Sequence, residues 1–202
     1  MSYTAHMTIM TGIGERTRSA ILEASRQLFL ERGYAGTPIN AITEACGISR
    51  AGFYTYFKDK REVFNVLGEA SYHDLRDVLA KWDAVDDPYR HDHVCAWIAA
   101  YFEFMDRHGA FIMAAHHSAP EDDAFRQNRD RMVNRSAWIL GQAISRGNAH
   151  SPEVVGVVAT GLLERAWYSL QTQSVPVDRG EVIAVVAEMI LALSHRGERK
   201  IR

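Results

Sequence analysis

An all-α fold is predicted for this chain by three features of its sequence. Apolar residues recur every three or four positions almost throughout, and runs of alternating β-branched residues are nearly absent. The breaks fall at glycine, proline or acidic clusters, "DAVDDPYRHD", "SAPEDD", "GNAHSP" and "SVPVDRG", which mark loops between helix-length segments. About nine helices are expected on this pattern, the first three forming a compact unit.

The first helix is expected over Glu15 to Arg32, with Ile21, Leu22, Ala24, Leu28 and Phe29 on its buried stripe and Gly33 as its stop. Thr37 followed by Pro38 reads as an N-cap with proline at the first helical position, opening a short second helix that buries Ile39 and Ile42 and ends at Gly47. Ser49 can cap a third helix in the same way. After Lys58 a long helix through about Trp82 is expected. Later helices are expected over His91 to His108, Phe111 to His117, Glu121 to Arg146, Pro152 to Gln173 and Arg179 to His195. Composition shifts near Glu62, which suggests one domain over residues 1–62 and a second, rich in Trp, Met and Val, over 63–202.

With 47% hydrophobic and 24% charged residues among 202, the chain has the composition of a folded domain and not of a disordered one. No run of about 18 apolar residues occurs, and the start lacks a basic region followed by an apolar stretch. Neither a membrane span nor a secretory signal is expected, and the default location is the cytoplasm. Cys46 and Cys95 lack a CxxC partner and read as buried thiols, which argues against zinc and against disulfides.

The net charge of −2 gives no general pull toward nucleic acid, so its distribution decides. Within "SRAGFYTYFKDKR" four basic residues stand against one acidic. On a helix turning about 100° per residue, Phe53 and Phe57 share the core side. Ala51, Gly52 and Thr55 then face outward, flanked by the hydroxyls of Tyr54 and Tyr56. A face of small residues and hydroxyls can lie close against a polar wall. With Ser49 and Arg50 at its start and Lys58, Lys60 and Arg61 beyond its end, it suits the major groove of DNA. The second and third helices have the spacing of a helix-turn-helix. The N–H groups near Thr37 and Pro38 could hold one phosphate, and Lys60 another.

"TPINAITEACGISRAGFYTYFKDKREVF" resembles the DNA-binding signature of the TetR family of one-component bacterial repressors, and "TRSAILEASRQLFLERGY" resembles the family's first helix. The resemblance covers about residues 15 to 64. It implies phosphate contacts from Thr37, Tyr54, Tyr56 and Lys60, and base or near-base contacts from Arg50, Ala51, Gly52 and Thr55. Lys58 stands where many members carry proline, which bears on the entry into the fourth helix. The resemblance further implies a transcriptional repressor, homodimeric, released from an operator in double-stranded DNA by a small-molecule effector.

No motif marks the effector site. Trp97, Tyr101 and Phe104 share a helix face with Met105 beside them, and Met113, Trp138, Trp167 and Tyr168 could converge there. Such a pocket would be mainly apolar, with Tyr101, Asn134 and Glu164 as polar handles, and would take a largely hydrophobic molecule. Val182, Val186, Met189 and Leu193, together with Gly156, Ala159 and Gly161, suit a homodimer interface made by the last two helices. No cofactor, catalytic residue or metal ligand is assigned, because the His and Asp groups in "DDPYRHDH" and "HHSAPEDD" lack a spacing that sets ligand geometry. The alternatives are a helical protein-interaction module and a metal-dependent enzyme.

Overall fold

The computed structural model describes residues 3–83, 87, 90–118, 123–145, 150–172 and 176–194, and these carry eight α-helices and no strand. The helices are α1 (Tyr3–Arg32), α2 (Ile39–Cys46), α3 (Arg50–Tyr56), α4 (Lys60–Asp83), α5 (His91–Ser118), α6 (Asp123–Ile144), α7 (Pro152–Thr172) and α8 (Arg179–Ser194). Among the described residues no helix is long and apolar enough to cross a membrane.

The expected count of nine differs by one because α5 runs unbroken through Gly109, where two helices were expected. Gly109 is a contact glycine and not a breaker. A Cβ there would lie 2.3 Å from the ring of Trp167, so a larger residue would displace the indole that covers this turn.

The chain divides into two compact units, one of Met1–Ser71 with Ala110–Asp122 and one of Tyr72–Gly109 with Asp123–Arg202. The first unit thus extends past the division expected after residue 62. The physical reason lies in Val63, Phe64 and Leu67, whose three- and four-residue spacing buries them in that unit's core. Phe64 is its hub, with ring centroids 5.4 Å from Phe29, 5.0 Å from Tyr34 and 4.7 Å from Phe111. On α1, Ile21, Ser25, Leu28 and Phe29 are buried, so a serine completes the stripe while Leu22 and Ala24 lie at its half-buried edge.

In the second unit, α6 and α7 pack backbone to backbone. A Cβ on Gly156 would fall 1.8 Å from the carbonyl oxygen of Ala137, and one on Gly141 would fall 1.7 Å from that of Pro152. Gly156 therefore serves contact within the chain. Trp97 stands edge-on to Trp82 at 4.9 Å and donates its indole N–H to the carbonyl of Val78 at 3.0 Å. Asp106 accepts from the Trp167 indole at 2.8 Å and from Arg179 at 2.7 Å, tying α5 to α7 and α8. Burial raises the Asp106 carboxyl, but the bonds from Arg179 and Trp167 outweigh it and leave the pKa below the ordinary value.

Buried His108 on α5 bonds Asp74 on α4 at 2.8 Å. That bond, aided by the charges of Arg107 and His73, lowers the Asp74 pKa against the opposing effect of burial. A depressed carboxylate stabilises the fold above its unfolded pKa, about 3.9 for Asp, and this contribution is lost as pH falls through the lower folded value. The stability difference between the wild type and Asp74→Asn should therefore be full near neutral pH and shrink below about pH 4, as checked by urea unfolding across a pH series.

Candidate nucleic-acid interface

The first unit's surface is organised by a turn that only certain residues permit. Helix α2 buries Ile42 and Thr43 and stops at Gly47, whose φ of 66° lies in the left-handed region. A Cβ on Gly47 would meet nothing within 4 Å, so glycine is required there by conformation and not by space. The N–H of Ile48 returns to the carbonyl of Thr43 at 3.0 Å, closing the helix end. Two residues on, the Ser49 hydroxyl accepts the N–H of Gly52 at 3.0 Å and caps α3, as the sequence predicts.

Helix α3 is divided as its spacing implies. Phe53 and Phe57 are fully buried, Phe57 closing the helix in extended conformation with the guanidinium of Arg18 over its ring at 5.0 Å. Pro38, Ser49, Arg50, Ala51, Tyr54 and Thr55 are exposed, and Gly52 and Tyr56 are half-buried. Arg50 donates to the side-chain oxygen of Asn40 at 2.9 Å and to the Tyr54 hydroxyl at 3.3 Å, so the two helices of the turn share a polar outer network. Asn40 went unassigned in the sequence reading. Its position in the first turn of α2, two residues after Pro38, was the available signal.

The start of α2 differs from the expected arrangement. Pro38 occupies the N-cap position, and no side chain caps the helix. Thr37, expected as the cap and as a phosphate contact, is fully buried. Its hydroxyl turns back to the end of α1, its one proton shared between the carbonyls of Gly33 at 2.8 Å and Leu28 at 3.1 Å. The reason is the usual one at a helix end: late carbonyls lack a partner within the helix, and a nearby hydroxyl satisfies them. Lys60 is also drawn inward. Its ammonium donates to the carbonyls of Tyr34 at 2.6 Å and Thr37 at 2.8 Å and sits 4.2 Å from the centre of the Tyr34 ring. Burial lowers its pKa. A surface depression of about 440 Å³ opens here, with Arg50, Lys60 and Arg61 among its lining residues.

Residues 21–67 match the family described as bacterial regulatory proteins, tetR family. These residues form a domain of the tetR family. Among curated relatives, the regulator AcrR of Shigella flexneri is 30% identical over 70 residues, 35% of this chain and 33% of that one. The repressor AcnR of Corynebacterium diphtheriae is 31% identical over 93 residues, 43% of this chain and 47% of that one. The chain thus spans between a third and a half of the length of these relatives. Solved structures share the fold over more of the chain. AibR in complex with isovaleryl coenzyme A and operator DNA aligns with TM-score 0.69 and 20% identity, covering 88% of this chain and 98% of that one. The regulator PfmR from Thermus thermophilus aligns with TM-score 0.67 and 21% identity, covering 87% and 99%.

Lys58, at a position where the family resemblance implies proline, uses its backbone N–H. It donates to the Glu62 carboxylate at 2.6 Å, while the N–H of Glu62 donates to Asp59 at 2.8 Å. These two bonds hold the start of α4, Asp59 accepting from Glu62 and Glu62 from Lys58, and a proline at position 58 could not supply the first donor.

The expected effector residues are spread over several environments. Trp97, Tyr101, Phe104 and Met105 are buried along α5, and Trp167 is buried on α7, all in the second unit. Glu164 and Tyr168 are half-buried on α7. Burial pushes the Glu164 carboxyl up to about 7. Tyr101 is pushed well above its ordinary value, by burial first and by the charge of Glu164 second. Asn134 and Trp138 lie exposed on α6, and half-buried Met113 belongs to the first unit. Five of the ten are therefore brought inside, and these three are not. Cys46 and Cys95 are half-buried, not buried as expected, and desolvation raises both thiols. Of the His and Asp groups weighed for metal, Asp86, Pro88 and Tyr89 of "DDPYRHDH" and Ala119 to Asp122 of "HHSAPEDD" lie outside the described residues, while His91 to His93 and His116 to Ser118 are helical. His73, Asp74 and Asp77 on α4 put ligand-type atoms within 4.8 Å of one another, with Asp74 already engaged by His108.

Replacing Thr37 with valine keeps its volume and deletes the one proton shared between the carbonyls of Gly33 and Leu28. Thr37→Val should lower the unfolding free energy by about 1–3 kcal/mol, whereas Thr37→Ser should retain most of it, as measured by chemical denaturation.

Proposed function

We propose that the chain is a sequence-specific transcriptional regulator, acting in the cytoplasm as a homodimeric repressor that a small, largely hydrophobic molecule releases from its operator. The observation that carries this reading is the outer face of α3, where exposed Ala51 and Thr55 stand beside exposed Arg50 and Tyr54 over a base of buried Phe53 and Phe57. Small residues let the helix approach base edges, and the surrounding hydroxyls and cations reach phosphates. Arg50, Ala51, Gly52 and Thr55 are assigned to the bases or their immediate neighbourhood, and Pro38, Ser49, Tyr54 and Tyr56 to the backbone.

A second copy is needed to read two half-sites about 34 to 36 Å apart. Exposed valines supply a surface for it: Val154, Val157 and Val158 on α7, with Val185 and Met189 on α8. The positions on α7 follow the three- and four-residue spacing of one helix face. Effector binding is assigned to the second unit, where the aromatic side chains of α5 are joined by Glu164 and Tyr168 of α7. The structural neighbour that holds an acyl thioester together with operator DNA supports a ligand-responsive regulator. Helix α4 contributes residues to both units, which makes it the natural carrier of the response. By linkage, a ligand that favours the conformation unsuited to DNA lowers operator affinity, typically by about 1–3 kcal/mol.

The decisive experiment selects bound duplexes from a random-sequence library with purified protein and titrates the winner against salt. Affinity should fall log-linearly with salt, and Tyr54→Ala should weaken binding about tenfold or more without altering helicity. A flat salt response, with Tyr54→Ala indistinguishable from the wild type, would replace DNA with a protein partner. For the assembly, Val157→Asp should convert the dimer to monomer in sedimentation while leaving the circular dichroism spectrum unchanged.

A further inference from the structure

Lys60 is expected by resemblance at a DNA phosphate, and its surroundings point to a different task. An ammonium has three N–H donors. Two are directed at backbone carbonyls, those of Tyr34 at 2.6 Å and Thr37 at 2.8 Å, and the charge lies 4.2 Å from the Tyr34 ring centre. Both carbonyls belong to the short segment between α1 and α2. The same segment is fastened from the other side, because the buried Thr37 hydroxyl donates to Gly33 and Leu28. Lys60 is the first residue of α4, whose start is itself held by the Asp59 carboxylate, which accepts the N–H of Glu62, and by the Glu62 carboxylate, which accepts that of Lys58. The beginning of α4 is thus clamped to the approach to α2, whose first turn presents Pro38 and Asn40 at the surface.

We infer that Lys60 is a positioning residue: it holds the α1–α2 segment, and with it the start of α2, in the conformation that meets DNA, and does not itself neutralise a phosphate. The inference rests on the DNA-binding reading above. A phosphate placed against this ammonium would bring its anionic oxygens toward the two carbonyl oxygens already bound there. The carbonyls hold two of the three N–H donors before DNA arrives, and the geometry turns the charge toward them and the Tyr34 ring.

The salt dependence of binding separates the two roles, since each phosphate-neutralising cation contributes about 0.9 to the slope of log affinity against log salt. Wild type and Lys60→Met are titrated with a duplex selected in vitro by the wild-type protein. The expected result is a loss of about tenfold at every salt concentration with parallel lines, as suits the loss of hydrogen bonds from a charged donor. A slope lower by about 1 would overturn the inference, as would unchanged affinity. Should the wild type bind no duplex in a salt-dependent way, the DNA-binding reading fails instead. A second measurement covers that outcome and the case in which Lys60→Met does not fold. In wild-type protein labelled at the lysine side-chain nitrogen, the Lys60 ammonium should give a signal protected from solvent exchange in the free protein. Where the selected duplex binds, that signal should stay in place on its addition. A signal lost to exchange in the free protein, or one that sharpens only with DNA, would overturn the inference.

Discussion

The burial of Phe53 and Phe57 is the contact on which the rest of the candidate surface depends. Helix α3 has seven residues, too few to persist alone, because helix nucleation is unfavourable and isolated segments shorter than about 12 residues are marginal in water. Each buried phenylalanine contributes about 1.5–3 kcal/mol through its removal from water, and the Ser49 cap adds about 1 kcal/mol. These local gains orient the helix as well as stabilise it. With residues 53 and 57 turned inward, residues 51 and 55 must turn outward, two positions earlier in each case and about 200° around the helix. Core packing therefore sets which side chains DNA could meet.

The polar side of the same unit is governed by the carbonyls between Leu28 and Thr37. A helix ends with carbonyls that have no partner of their own, and this one is followed directly by a segment that must enter another helix. Two long-range donors resolve the problem, the hydroxyl of Thr37 and the ammonium of Lys60, the latter 26 residues from Tyr34. A charged donor serves this position better than a neutral one, since hydrogen bonds from ionised groups are shorter and stronger. Burial opposes this by lowering the Lys60 pKa.

This contrast explains what was legible in the sequence. Gly33, Gly47 and Ser49 act through backbone conformation or through neighbours three residues away, so their residue types suffice to place them. Phe53 and Phe57 are equally readable from periodicity. Thr37 was not, because its partners lie four and nine residues back on another element, and a threonine before a proline fits a cap just as well on paper. Gly109 misled for the same reason: glycine in a helical pattern reads as a break, and only the position of Trp167, distant in sequence, shows why it is needed. In the second unit the stripe of Trp97, Tyr101 and Phe104 was evident, but Trp138 was grouped with it by size alone. Its spacing on α6 puts it beside buried Ala137 yet on the outer side, which hydrophobicity cannot reveal.

Helix α7 shows how one short segment can meet two demands. Its Gly156 abuts the backbone of Ala137 with no room for a side chain, whereas the next two residues, Val157 and Val158, are 61% and 51% exposed. A helix fixed so closely on one side has little freedom to rotate, so its valines are held outward on a rigid support. Exposed single valines are ordinary, but three on one helix face joined by Val185 and Met189 on the neighbouring helix form the kind of patch that an isolated subunit rarely presents. Were two such faces to pair, the contact between the copies would be held in one register, which a flexible support could not do. The glycine contact inside the subunit and the apolar face outside it are then parts of one requirement, that the face offered to a second copy be set by packing.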